Sequence, residues 1–244
     1  MNFIRSIFIH QIPFILVCLV IALFFLSCNP ENDGPDADAI PQLPASFSFF
    51  DVGVNTPLSR ELRNRLGGIL GDAAISNQNI MDLSLNLDPD FLESHFPRLD
   101  HLNRDLNSPP GERVEHNTTK MTYRYAVKKD LPFSYVELLF SKYSRMPLII
   151  RVLFQKDTLD IRTSLEEKYG SPVEVPWKQE NGRSLFWKKN DDFLFYCFVP
   201  NQFGVPEYRV TIYFTQRIAS LLEMEDKMKK QDRNSTTESG KGIF

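Results

Sequence analysis

Residues 158–172 read TLDIRTSLEEKYGSP, and the reading of this stretch decides how the folded part of the chain is arranged. Ile161, Leu165 and Tyr169 recur at a spacing of four and lay one apolar stripe along a 3.6-residue period, while Arg162, Glu166, Glu167 and Lys168 point elsewhere. Asp157 or Thr158 can cap the first turn, and Asp160 suits the positive end of the helix dipole. Gly170 can take the left-handed conformation that closes a helix, and Pro172 forbids its resumption. The spacing predicts a helix over 158–169 that packs on a sheet. Its two adjacent carboxylates, Glu166 and Glu167, stand about 100° apart around the axis and do not converge on a substrate.

Outward from this helix the apolar period changes from helical to alternating. Before it come Tyr123-Tyr125-Val127, Val136-Leu138-Phe140 and Ile150-Val152-Phe154, separated by polar turns at Lys128–Asp130 and Lys142–Arg145. After it come Val173–Trp177, Ser184–Lys188, Phe193–Val199 and Tyr208–Phe214, with turns at Asn181-Gly182 and Asn190-Asp191-Asp192. Asn-Gly is the favoured pair for a tight hairpin. Ile218, Leu221 and Leu222 then mark a final helix. The predicted class is α+β: over residues 111–228, an antiparallel sheet of about six strands in βββα-βββα order with helices on one face.

A smaller, mainly helical segment is expected at 46–110. Ser46–Val54 suits a short strand, and Thr56-Pro57 a helix start followed by the stripe Leu58, Leu62, Leu66. Gly67, Gly68 and Gly71 lack both the Walker lysine and the dinucleotide fingerprint, so they read as a loosened helix end. Met81–Leu87 alternates strictly, as a half-buried strand does. Asp88-Pro89 and Pro97 open two short helices. Residues 229–244 are polar and Ser/Thr-rich and are expected to form a disordered tail.

Charge and cysteine usage narrow the function. The formal net charge of −3 is accounted for by four acids between Glu31 and Asp38 and one base, Arg5, so the remainder is neutral. A non-specific nucleic-acid binder needs a basic surplus, and none is present. Cys197 sits in a strand-like run with no histidine partner nearby in sequence, which suits a small buried apolar residue better than a nucleophile.

Ile12–Leu26 is an apolar run of signal-peptide length that ends at Ser27-Cys28, with Arg5 before it. Through Phe25-Leu26-Ser27-Cys28, residues 1–28 resemble a bacterial lipoprotein precursor with its lipobox; an uncleaved N-terminal anchor is the alternative reading. The resemblance implies removal of residues 1–27 and acylation of Cys28, with the chain held at a membrane by two or three acyl chains. It also implies a body in the envelope facing the periplasm. The residue after the cysteine is Asn29 rather than the retention aspartate, which favours the outer membrane over the inner. Residues 28–45, rich in acids and proline, read as an extended tether.

Candidate chemistry is sparse. Glu93, His95, Asp100, His101 and Asp105, with His116 beyond them, form the one cluster of metal-type or acid-base residues; His101 and Asp105 share a helix face, but no zinc signature is matched. Trp177 and Trp187 are the candidates for an aromatic binding surface. No cofactor or metal is expected. The expected function is a membrane-tethered, non-enzymatic binding or structural module with an envelope protein or cell-wall component as partner. The alternatives are a carrier of a small apolar ligand or lipid, and a metal-dependent hydrolase using the Glu93–His116 region.

Overall fold

The computed structural model describes residues 40–85, 90–124, 131–154, 161–176, 182–200 and 206–240. Cys28, Trp177, the Lys128–Asp130 turn and Asp88-Pro89 lie outside the described residues.

The α+β class holds, with a larger sheet than expected. Eight strands pair antiparallel throughout: β3 (Ala74–Asn79), β4 (His116–Tyr123), β5 (Phe133–Ser141), β6 (Pro147–Phe154), β7 (Val173–Pro176), β8 (Arg183–Lys189), β9 (Asp192–Pro200) and β10 (Pro206–Tyr213). Their spatial order is β3-β4-β5-β6-β10-β9-β8-β7. Two four-stranded meanders therefore meet along their last strands, with Val152 opposite Val210 and Ile150 opposite Ile212. A separate two-stranded ladder joins β1 (Ser48–Phe49) to β2 (Val52–Gly53).

The expected βββα-βββα order becomes one strand, two short helices, three strands and a helix, followed by four strands and a helix. The extra strand in the first half is β3, whose sequence AISNQN carries no alternating apolar signal and is exposed at all but Asn79. It is an edge strand, formed because β4 offers it a ladder, and a bulge at Asn77/Asn79 interrupts that ladder.

Helices cover both faces of the sheet, where one covered face was expected. On one side, Leu62, Leu66 and Leu70 of α1 (Arg60–Leu70) join Val136, Leu138, Phe140, Val152 and Ile212 in a buried cluster. On the other, α2 (Phe91–His95) and α3 (Pro97–Leu106) supply Phe91, Phe96, Leu99 and Leu106 against Leu139, Ile149, Phe195 and Tyr213. The cause is in the strands themselves: Leu138-Leu139-Phe140 and Leu148-Ile149-Ile150 are continuous apolar runs, which only a sheet buried on both faces can accommodate. Each such side chain contributes about 1.5–3 kcal/mol on burial. The Phe96 ring meets Phe186, Phe193 and Phe195 edge-on at 4.8–5.8 Å between centroids, so this second core is filled ring against ring.

The helix at the centre of the sequence is α4 (Ile161–Tyr169), with Ile161 buried and Leu165 and Tyr169 packed on the first core. Arg162 and Glu166 pair along its surface at 2.7 Å. Gly170 stands at φ +84°, its N–H donating to Glu166 O at 2.8 Å, as a left-handed C-cap does. An added Cβ at Gly170 would meet nothing within 4 Å, so Gly170→Ala isolates the backbone cost. The expected loss is about 1 kcal/mol in urea denaturation, with no change in the slope of the transition.

Three further expectations are corrected. The cap of α1 is Ser59, whose hydroxyl accepts from Leu62 N at 3.0 Å, while Thr56 caps the preceding turn through Gly53 N. Met81–Leu85 buries Met81, Leu83 and Leu85 as the alternation implies, yet it is not a ladder strand. Side chains take its backbone groups instead: Leu83 N donates to Asn103 Oδ1 at 2.8 Å, and Tyr213 donates to Leu83 O at 2.8 Å. The final helix, α5 (Thr215–Gly240), takes in residues 229–240 of the stretch expected as a tail, and 241–244 lie outside the described residues. No helix among the described residues is long and apolar enough to cross a membrane.

Residues 41–45, assigned by sequence to the tether, lie on the body. Asn55 exchanges hydrogen bonds with Leu43 N and O at 2.9 and 2.6 Å, Asn190 donates to Ala45 O at 3.0 Å, and Arg217 donates to Pro41 O at 2.9 Å.

Candidate functional site

The C-terminal end of α4, the start of β7 and the end of β8 converge on a cleft of about 470 Å³. The antiparallel register that sets Val173 opposite Phe186 brings the lysine pair at the end of β8 beside the loop that leaves α4. Among the described residues the lining carries three lysines, Lys168, Lys188 and Lys189, and no carboxylate. Three aromatic residues, Phe47, Tyr169 and Trp187, share the same walls, and Phe186 borders the cleft with its ring turned to Phe96 in the second core.

Hydrogen bonds hold those walls in place. Trp187 is buried and donates its indole N–H to Gly170 O at 2.6 Å, which ties β8 to the cap of α4. The Tyr169 ring meets Phe47 edge-on at 5.1 Å, and its hydroxyl lies 3.2 Å from both Ser48 N and Ser48 O. Lys168 Nζ reaches Ser48 Oγ at 3.2 Å and lies 5.1 Å from the Tyr169 ring centre. Lys188 is held by Asp191 at 3.4 Å, which Arg98 also engages at 2.8 Å. Lys189 is exposed at the rim. Such a cleft can attract and orient an anion; among the described residues its side chains offer no carboxylate or imidazole for proton transfer.

The cluster singled out in the sequence does not assemble. Glu93 and His95 are exposed, and the His95 ring lies against Phe91 at 5.1 Å. His101 and Asp105 form a solvent-exposed pair at 3.0 Å one helical turn apart, and Asp100 pairs instead with Arg104. Among the described residues no group of three or more His, Cys, Asp or Glu side chains is placed to hold a metal ion. His101 does border a second groove of about 460 Å³ between α3 and α5, with Pro97, Leu102 and Ala219. His116 points into the core, where its ring nitrogens meet Glu225 at 2.8 Å and Leu106 O at 2.9 Å. Burial acts to raise the Glu225 carboxyl, but the His116 contact and the Asn117 N–H at 2.7 Å outweigh it and hold the group below its usual value. His116 is thus a brace between β4 and α5. Trp187 is in the site as a wall, and Trp177 lies outside the described residues.

The buried charged groups sit elsewhere, and sequence reading missed them. Glu137 pairs with Arg151 at 2.6 Å across β5 and β6 and accepts from Tyr135 at 2.7 Å. Asp192, at the start of β9, accepts from the Ser46 hydroxyl and from Thr215 N at 3.0 Å, the first N–H of α5. Burial pushes its carboxyl up to about 6 against the lowering effect of those two donors. Arg217, in the first turn of α5, is buried and donates to Val54 O at 3.1 Å, Asn55 Oδ1 at 2.8 Å and Pro41 O. Cys197 is buried, 3.5 Å from Ser184 Oγ, and burial pushes its thiol up to about 11, which leaves it protonated and unreactive at neutral pH.

No family model, no curated protein and no solved structure matches the chain.

Proposed function

We propose that this chain is a lipid-anchored protein of the bacterial cell envelope whose body is a non-enzymatic binding module. Acyl chains on Cys28 hold it at the membrane, the outer membrane in preference to the inner, and the body faces the periplasm with an envelope component as its partner. The anchor rests on the resemblance of residues 1–28 to a lipoprotein precursor. The binding role rests on one observation, the lysine-rich aromatic cleft at the end of α4, whose walls are fixed by hydrogen bonds before any ligand arrives. A preformed site loses little freedom on binding, and that favours a recognition role.

Metabolic labelling with a tagged fatty acid tests the anchor. Wild-type chain should carry the label and fractionate with the outer membrane, and Cys28→Ser should carry none and leave the membrane fraction. Label retained in the serine variant would remove the anchor from the reading.

A further inference from the structure

We propose that the cleft at the end of α4 is a site for a small ring compound bearing an anionic group, a phosphate or a carboxylate. This rests on the reading of the body as a binding module and names the chemistry of its ligand.

The argument starts from charge. Three lysines border one concavity, and since the Lys188 ammonium turns to Asp191 and to the Phe193 ring of the second core, Lys168 and Lys189 are the two left to serve it. Among the described residues no carboxylate pairs with Lys168 or Lys189: the one hydrogen bond of the Lys168 ammonium there goes to a neutral hydroxyl, Ser48 Oγ. Cations gathered in this way repel one another, and a bound anion relieves the repulsion. An ammonium is a point charge with three rotatable donors, so it suits phosphate or carboxylate oxygens approaching from several directions.

The second half of the argument is shape. Trp187 has spent its only donor on Gly170 O, so what it turns to the cleft is ring surface without hydrogen-bonding demand. Phe47, edge-on to Tyr169, closes the floor beside it. A bare anion would leave these aromatic walls wet, whereas a ring attached to the anion covers them. The volume, about 470 Å³, lies within the range of small-molecule sites and is too small for a folded partner. The neutral body argues against a nucleic acid as the source of the phosphate.

The test is calorimetric titration of the full chain in a neutral detergent with 1-naphthyl phosphate, alongside 1-naphthyl glucoside as an uncharged analogue and inorganic phosphate as the bare anion. The naphthyl phosphate should bind, each comparison compound should bind at least about tenfold more weakly, and Lys168→Gln with Lys189→Gln should weaken the naphthyl phosphate by about tenfold or more. Both lysines are exposed, so the double variant keeps the fold, which an unchanged urea midpoint verifies. Glucoside binding as tight as the phosphate overturns the anion half of the proposal. Phosphate alone binding as tightly as its naphthyl ester overturns the ring half. Absence of binding, or binding indifferent to the double variant, overturns the whole. Fatty-acid labelling at Cys28 does not depend on any of these results, so the anchor and the ligand fail separately.

Discussion

Replacing Arg217 with alanine is expected to destabilise the folded body by about 3–5 kcal/mol and to release residues 41–55 from α5. The guanidinium is buried, and its three hydrogen bonds reach Val54 O, Asn55 Oδ1 and Pro41 O, all uncharged acceptors more than 160 residues away in the chain. Truncation leaves those acceptors without donors and opens a void at the first turn of α5. Each buried acceptor that loses its partner costs about 1–3 kcal/mol, and water can re-satisfy Pro41 O more easily than Val54 O. Asn55 also holds Leu43 through two hydrogen bonds, so the loss propagates to residues 41–45. Urea denaturation measures the energy, and limited proteolysis should show new cleavage within residues 41–55 under native conditions. Arg217→Lys should recover only part of the loss, because an ammonium cannot span three acceptors held in a fork geometry. A cost below about 1 kcal/mol for the alanine variant would mean that residues 41–55 are held by apolar contacts at Phe47, Val52 and Val54 alone.

What the sequence discloses and what it hides divide along the distance over which a signal acts. The apolar pair Leu62 and Leu66 and the stop at Gly170 are local, written in a few consecutive residues, and both appear where expected, although Leu58 falls before the Ser59 cap and off the helix. The turn Asn190-Asp191 is equally local, with both residues at positive φ as a two-residue hairpin requires. The strand β3 has no such signal, because an edge strand with exposed side chains is defined by its neighbour and not by its own apolar period. Met81–Leu85 shows the converse: its alternation reports burial correctly, but burial does not dictate whether a ladder or a set of side chains satisfies the backbone. Coverage of both faces was legible in principle from Leu138-Leu139-Phe140, whose run is too continuous for a sheet with one wet face. The site was half legible. Trp187 stands out as an aromatic, whereas Lys168 and Lys188-Lys189 are separated by about twenty residues of chain and meet only because β7 and β8 pair in one register. The brace of His116 on Glu225 spans 109 residues and has no local trace at all.

Asp192→Asn is expected to raise stability at neutral pH and to remove one component of its pH dependence. Burial dominates at this carboxyl and pushes it from an ordinary 3.8 up to about 6, against the Ser46 hydroxyl, the Thr215 N–H and the charge of Arg217, with Asp191 adding to the rise. The folded chain therefore holds this proton more tightly than the unfolded chain does. The stabilisation linked to it is fully present below pH 3.8 and is lost as pH rises through about 6, the reverse of an ion-paired acid. A shift of this size corresponds to roughly 2 to 3 kcal/mol between the two ends of the window. Glu137 and Glu225, whose carboxyls are held below their usual value, act in the opposite sense and lose stability as pH falls, so the net profile of the wild type conceals the effect. The difference between wild type and variant isolates it. Asparagine keeps an oxygen to accept from Thr215 N and offers an N–H₂ to the Ser46 oxygen, so both contacts survive without the charge. Urea midpoints measured from about pH 4 to about pH 7.5 should show the variant gaining on the wild type as pH rises, with most of the change centred between pH 4 and 6. A difference that stays constant over that range would show that the Asp192 carboxyl titrates alike in the folded and unfolded chains. The tie between Ser46 and the first turn of α5 would then owe nothing to a retained proton.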